Sequence, residues 1–377
     1  MTAQAILSEL IAFASVVGRP NGVIAGWIAD HLARSGVEAQ LLPGPEGDRV
    51  NLFATIGPRD VPGLVLSGHM DVVPAQEPQW TGDPFTLREE GDRLLGRGTS
   101  DMKGFLAAAL AVVPALAGRE LARPIHLAFS YDEEAGCRGV PHLIAALPSL
   151  CARPAAAVIG EPSGLRPILA HKGKAAALAE IRGRSGHSSR PDLGLNAIHA
   201  MGAVIAAAGD TALALQGGPL DHTFAPPYST VQIGTVRGGE ALNVIPELCR
   251  IEIEARAIAG VEPGALLEPV RAALAALEAE GFGTDWTQIA AYPALSLPAD
   301  APIALRLAEL TGQEPLAAVS YGTEAGLYQA AGIDAIICGP GDIARAHKPD
   351  EFITRDELSG CTRLLEQLCT AFAEGRG

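Results

Sequence analysis

Apolar positions along the chain switch repeatedly between helical spacing and short continuous runs, a rhythm that predicts alternating helices and strands. Ile24, Trp27, Ile28 and Leu32 recur at helical spacing before Gly36, whereas 51–56 and 64–67 are short apolar runs bounded by Gly and Pro. An Ala-rich buried helix is predicted over 105–113, then strands over 125–130 and 155–159 with a helix near 140–147 between them. The pattern resumes late in the chain, with helices near 303–310 and 324–331 and an apolar strand at 335–338. A final helix capped by Thr354 carries Leu358, Cys361, Leu365, Leu368 and Phe372 along one face. This order implies an α/β sheet with helices on both faces.

Between these stretches the rhythm changes. A strand over 175–182, a helix over 195–207, strands over 230–236 and 248–256, a helix over 266–277 and a strand over 286–290 spell β-α-β-β-α-β, the ferredoxin-like α+β pattern. Cys249, Ile251, Ile253 and Ala255 alternate with Arg250, Glu252, Glu254 and Arg256, as in a sheet with one buried face. At 377 residues the chain is long for a single core. The expected organisation is one domain from residues 1–172 and 291–377, with residues 173–290 inserted into it.

A net charge of −15 argues against a nucleic-acid partner, because phosphates would be repelled rather than neutralised; a solvated acidic surface accounts for it. The six cysteines form no Cys-x-x-Cys pair and read as reduced, mostly buried thiols. No basic region precedes Ala5-Ile6-Leu7, and the longest apolar stretch, 105–118, is too short for a bilayer and contains Pro114. A cytoplasmic protein with no membrane association is the expectation.

Candidate chemistry collects at the ends of the predicted strands. His69 and Asp71 close the 64–67 run at a spacing that lets an imidazole bind a metal while the carboxylate holds the ring. Glu133 and Glu134 follow the 125–130 strand, Glu161 follows 155–159, His347 follows 335–338 through a Gly-Pro-Gly loop, and Asp101 precedes the Ala-rich helix. That edge of an open α/β sheet is where ligands bind. Each acid alone reads as a surface charge or cap; together with two histidines they read as a metal site. Such N/O donors suit zinc, with cobalt or manganese possible. The count fits two ions bridged by a carboxylate, with one of the adjacent acids Glu133 and Glu134 as ligand and the other free to take a proton.

The segments Gly68-His69-Met70-Asp71, Gly98 to Gly104, Asp132-Glu133-Glu134, Gly160-Glu161-Pro162 and Ala346-His347-Lys348-Pro349-Asp350-Glu351 resemble those of the dizinc M20 aminoacylase and carboxypeptidase family. The resemblance implies a zinc-peptidase-like catalytic domain with a mixed sheet flanked by helices, and an inserted lid and dimerisation domain. It implies that His69, Asp101 and Glu161 bind one zinc and Asp101, Glu134 and His347 the other, that Asp71 orients His69, and that Glu133 is the general base. Gly186-His187-Ser188-Ser189 resembles the lid motif, in which His187 reaches the partner subunit's site in a homodimer and stabilises an oxyanion. The 238–246 segment and Arg256 resemble the substrate grip, with Asn243 and Arg256 on a carboxylate.

Within the family, the 320–326 and 338–343 segments look most like the acetylornithine deacetylase branch, which acts on a small N-acyl amino acid. Thr323 and Glu324 would then line the pocket, Glu324 pairing with a cationic side chain or else capping the helix after it. Succinyl-diaminopimelate desuccinylases and dipeptidases share the implied mechanism and remain alternatives. A metal- or carboxylate-binding protein without turnover is disfavoured by the spare acid beside the ligand. A nucleotide-dependent enzyme is disfavoured by the missing phosphate-binding loop.

Overall fold

A computed structural model of the chain describes residues 1–375. It divides into two compact units, one of residues 1–170, 295–317 and 323–377, the other of 171–294 and 318–322. The inserted unit thus begins and ends slightly outside 173–290 and gains a short later segment, in which Val319 forms an isolated bridge with His171.

The first unit is built on a six-stranded sheet in the order Ala39–Pro43, Val50–Ile56, Ile125–Ser130, Leu64–His69, Ala156–Pro162, Asp334–Gly339. The last four strands run parallel, and Val50–Ile56 is antiparallel to both its neighbours. The three strands Leu64–His69, Ile125–Ser130 and Ala156–Pro162 are buried along their whole length, which explains why they read as unbroken apolar runs rather than alternating ones. One side packs against the helices Ala3–Ala12, Gly22–Ala33, Gly104–Ala117, Pro302–Thr311 and Arg355–Ala373. The helices Val140–Leu150 and Ala325–Ala330 also pack on the sheet and touch each other. Gly160 is needed where the Gly104–Ala117 helix crosses its strand, because a Cβ there would lie 1.9 Å from Cγ of Phe105. The last helix starts with a capping box, Thr354 Oγ1 accepting from the Glu357 N–H while Glu357 accepts from the Thr354 N–H. The Ala3–Ala12 helix and the Ala39–Pro43 strand had no clear periodic signal and are additions.

The second unit holds four antiparallel strands in the order Thr230–Gly238, Leu248–Ala257, Gly173–Arg182, Gly283–Tyr292, the ferredoxin-like arrangement. Ala175, Ala177, Ala179 and Ile181 join Cys249, Ile251, Ile253 and Ala255 on its buried face, under the helices Ala197–Leu215 and Glu268–Ala276. Asn196 caps the first of these helices, its Oδ1 accepting from the N–H groups of Ile198 and His199. That helix runs two turns beyond the expected end, since neither Gly209 nor Asp210 interrupts its buried face of Met201, Val204 and Ala208. The Ala-rich helix proper, Gly104–Ala117, has 14 residues, short for a bilayer as expected, although with the irregular turn before it the 99–117 stretch, like the 197–215 helix, is long and apolar enough to cross a membrane by length and composition alone. The first is mostly core, and the second lays one face on its own sheet.

Candidate active site

The carboxyl ends of the parallel strands and the loops after them bring His69, Asp71, Asp101, Glu133, Glu134, Glu161 and His347 together in the first unit. His69 ends its strand, Glu161 lies within the Ala156–Pro162 strand, and the other residues arrive on loops. Asp101 sits in an irregular turn, with a cis peptide to Met102, just before the Gly104–Ala117 helix. Gly98 opens that turn at φ +84, and a Cβ there would lie 2.6 Å from Val72. Among the described residues, four of the five non-glycine residues at positive φ, namely Asp132, Cys137, His347 and Asp350, fall in the loops carrying the two glutamates and His347. Backbone strain of this kind concentrates at functional sites.

Asp101 faces both histidines, its Oδ1 3.1 Å from His69 Nε2 and its Oδ2 3.2 Å from His347 Nε2. Glu161 Oε1 lies 3.9 Å from His69 Nε2, and Glu134 Oε1 lies 2.9 Å from His347 Nε2. Two donors about 2.1 Å from a shared tetrahedral ion would stand about 3.4 Å apart, so these separations suit a metal between the groups. His69, Glu133 and Glu161 form one candidate cluster and His69, Asp101 and Glu134 another, with all donor atoms of each within 4.8 Å of one another. Donors that are all nitrogen and oxygen match zinc and its divalent neighbours.

His69 Nδ1 is 2.9 Å from the backbone oxygen of Asp71 and 3.6 Å from its carboxylate. The carboxylate also accepts the N–H groups of Glu133 and Glu134, each at 3.1 Å. Asp71 thus lies against the ring and clamps the two-glutamate loop as well. Glu133 has a second contact, from the Cys137 thiol at 3.2 Å.

The charges of the cluster are mutually dependent. Burial pushes the Glu133 carboxyl up to about 8, opposed by His69 and reinforced by Glu134, Glu324 and Asp71. Burial also raises Glu161, with Asp101 and Glu133 adding to it. Burial would raise Asp101 as well, but hydrogen bonds from His347 and His69 outweigh it and hold this carboxyl well below its ordinary range. Hydrogen bonds to Asp101 and Glu134 lift His347 to about 10.

The remaining expected residues divide. His187 is exposed in the inserted unit, its Nδ1 2.8 Å from Ser189 Oγ, and Asn243 is exposed beside it, its carbonyl accepting the Ser188 N–H at 3.1 Å. Arg256 pairs with Glu254 on its own strand at 3.3 Å. Thr323 and Glu324 do not line an open pocket. Both are 1% exposed; Thr323 Oγ1 accepts the Ala325 N–H, and the Glu324 oxygens accept from Ser67 and Ser130, so its side chain does not cap the helix either.

Sequence reasoning missed Glu351. Its buried carboxylate accepts from the backbone N–H groups of Gly98, Ser100 and Asp101 and from Arg97, tying the Asp101 turn to the His347 loop. It lay within the matched 346–351 segment, the only signal available. Lys103, also buried, donates to the carbonyls of Leu10 and Phe13 and anchors the same turn to the end of the first helix.

A sheet edge that gathers histidines and carboxylates beside a spare acid has the donor set and the base that metal-assisted hydrolysis needs. The model for peptidase family M20/M25/M40 matches residues 65–371, and the chain belongs to that family and is a hydrolase acting on amides. It is 35% identical to an acetylornithine deacetylase of Myxococcus xanthus, over 99% of this chain and 98% of the relative. It is equally identical to one of Edwardsiella ictaluri, over 93% and 90%. In fold it is similar to an M20 metallo-carboxypeptidase of Sulfolobus solfataricus (TM-score 0.80, 18% identity, 98% and 99% covered). It is also similar to human carnosine dipeptidase 1 (TM-score 0.73, 18% identity, 98% and 96% covered).

Proposed function

We propose that the protein is a dinuclear zinc deacetylase converting N-acetyl-L-ornithine and water to L-ornithine and acetate, a step of arginine biosynthesis. The observation that carries the dinuclear reading is Asp101, which presents one oxygen to each of two histidines. His69, Asp101 and Glu161 would hold one ion and Asp101, Glu134 and His347 the other; cobalt or manganese would suit the same donors. Bound there, the ions would lower the pKa of water toward about 7 and polarise the scissile carbonyl.

The chain's own residues then do the rest. Glu133 takes a proton as general base and returns it to the departing amine, so the carbon–nitrogen bond breaks with the leaving group neutral. Asp71, by holding the N–H groups of Glu133 and Glu134, keeps base and ligand in step. Asn243 and Arg256 hold the substrate carboxylate, a planar group matched by a guanidinium fork. His187 supplies an oxyanion donor across a homodimer, since its Nε2 is free to donate while Nδ1 is engaged with Ser189. The exposed Thr230–Gly238 edge strand and the outer face of Ala197–Leu215, with Ile198, Ile205 and Leu213, support pairing with a twin. Six free thiols agree with a cytoplasmic setting.

Support for the substrate comes from the two relatives that span nearly the whole chain. Zinc-loaded protein assayed against N-acetyl-ornithine, N-succinyl-diaminopimelate and a panel of dipeptides should show its highest kcat/KM with N-acetyl-ornithine. A dipeptide or the succinylated compound turning over at least tenfold better would replace the substrate assignment.

A further inference from the structure

Behind the metal-binding edge of the first unit lies a carboxylate that no step of the proposed reaction uses. Glu324 is 1% exposed, and its Oε1 accepts from Ser67 Oγ at 2.5 Å and its Oε2 from Ser130 Oγ at 2.8 Å. Ser67 also lies 2.9 Å from the hydroxyl of Tyr328, one turn along the helix that Glu324 precedes. All four side chains are buried. The two serines are not arbitrary partners. Ser67 is two residues before His69 on the same strand, so both side chains face one side of the sheet, and Ser130 is the direct register partner of His69 on the neighbouring strand. Ser130 also stands three residues before Glu133. The two hydroxyls gripped by Glu324 therefore sit beneath the residue that binds metal and at the root of the loop that carries the base.

Burying a carboxylate is strongly unfavourable unless a cation offsets the loss of water, and two neutral hydroxyls offset only part. Among the described residues Glu324 forms no ion pair with Lys or Arg, and its charge is met only by the two serine hydroxyls. An apolar side chain would fill this position with less loss, which leaves the site above it as the reason for a charge there.

We propose that Glu324 is a positioning residue of the metal site: it grips Ser67 and Ser130 so that His69 and the Glu133 loop keep one relative placement, and its negative charge supports the cations bound above. It does not touch substrate. This rests on the dinuclear reading, so the test measures metal binding separately from turnover.

Wild type, Glu324→Gln, Ser67→Ala and Ser130→Ala would be stripped of metal, checked for folding by circular dichroism and titrated with Zn2+ against a chelating indicator. Initial rates with N-acetyl-ornithine and with an uncharged N-acetyl amino acid would follow. Glu324→Gln should bind Zn2+ about 10-fold or more weakly, as expected when a group supporting a ligand is changed. Its kcat should fall for both substrates, with KM within about twofold of wild type. The serine variants, which remove one donor each with little change in volume, should shift the same two quantities by less and keep the test open if the glutamine variant does not fold. Wild-type Zn2+ affinity and kcat in all folded variants would overturn the inference and leave the dinuclear reading standing. A rise in KM confined to the cationic substrate would overturn it in favour of direct recognition. Absence of Zn2+ binding by wild type would take down both.

Discussion

The two units place polar residues by opposite rules. In the first, His69, Asp71, Asp101, Glu161, Glu324 and Glu351 are nearly excluded from solvent, and each is held by partners from distant parts of the chain. In the second, His187 and Asn243 stand exposed on loops, and the face of the sheet under the two helices is apolar and rich in small residues. The first unit thus concentrates charge where water is scarce and electrostatic interactions are strong. The second leaves these groups exposed, where under the proposed function they would meet substrate or a partner only on binding. Substitutions of the buried ligands and clamps in the first should therefore disturb metal binding and stability together, and substitutions of His187 or Asn243 in the second should disturb turnover alone.

The sharpest break of this contrast is Glu133→Gln. General-base removal should cut kcat by about 10²–10⁴-fold, while zinc content stays near wild type because Glu134 is the assigned ligand. A near wild-type rate would remove Glu133 from its role, and loss of metal would make it a ligand, as its place in a cluster with His69 and Glu161 allows.

On the inserted unit, His187→Ala should lower kcat by about 10²–10³-fold with metal content and melting temperature unchanged. Mixing these inactive chains with inactive Glu133→Gln chains under subunit exchange should restore activity toward about half that of wild type per dimer, since one site of each mixed dimer then carries neither defect. No recovery despite proven exchange would refute action across the dimer.

Each unit also buries a histidine, fully enclosed, that burial pushes toward the neutral form, His126 in the first and His171 in the second, and these provide a smaller comparison between the two regions. Burial, with Arg59 nearby, lowers His126 in the first to about 4; burial lowers His171 in the second to about 4, helped by Arg256 and opposed by its bond to the Lys172 carbonyl. Both rings have an Nε2 with no partner among the described residues. The unfolded chain binds protons at these rings near pH 6.5 and the folded chain only near pH 4, so stability is fully present above pH 6.5 and falls as pH drops through that window. Each ring should contribute roughly 3 kcal/mol to the fall. Urea midpoints between pH 7 and pH 4 should decline, and less steeply in His126→Gln and His171→Gln; an unchanged slope in both variants would contradict the assignment.

The strands, most helices and the metal-facing residues were legible because their signals are local. A buried strand is an apolar run, and His69, Glu161 and His347 stand in short strings near strand ends. The clamps were illegible because their partners are remote: Ser67 meets Glu324 across 257 positions, and Glu351 meets the Asp101 N–H across 250. Nothing near either glutamate in the sequence separates a buried clamp from a pocket wall, which is why Glu324 was expected to face substrate. For Asp71 the spacing to His69 was informative, and what it could not show is the second task of the carboxylate, holding the N–H groups of the next loop.

The central claim, two ions bridged by Asp101, is tested most directly by counting metal. Protein stripped with chelator and titrated with Zn2+ should regain activity in proportion to the metal bound and reach its maximum at two ions per chain by elemental analysis. Full activity with a single ion per chain, or with none, would contradict it.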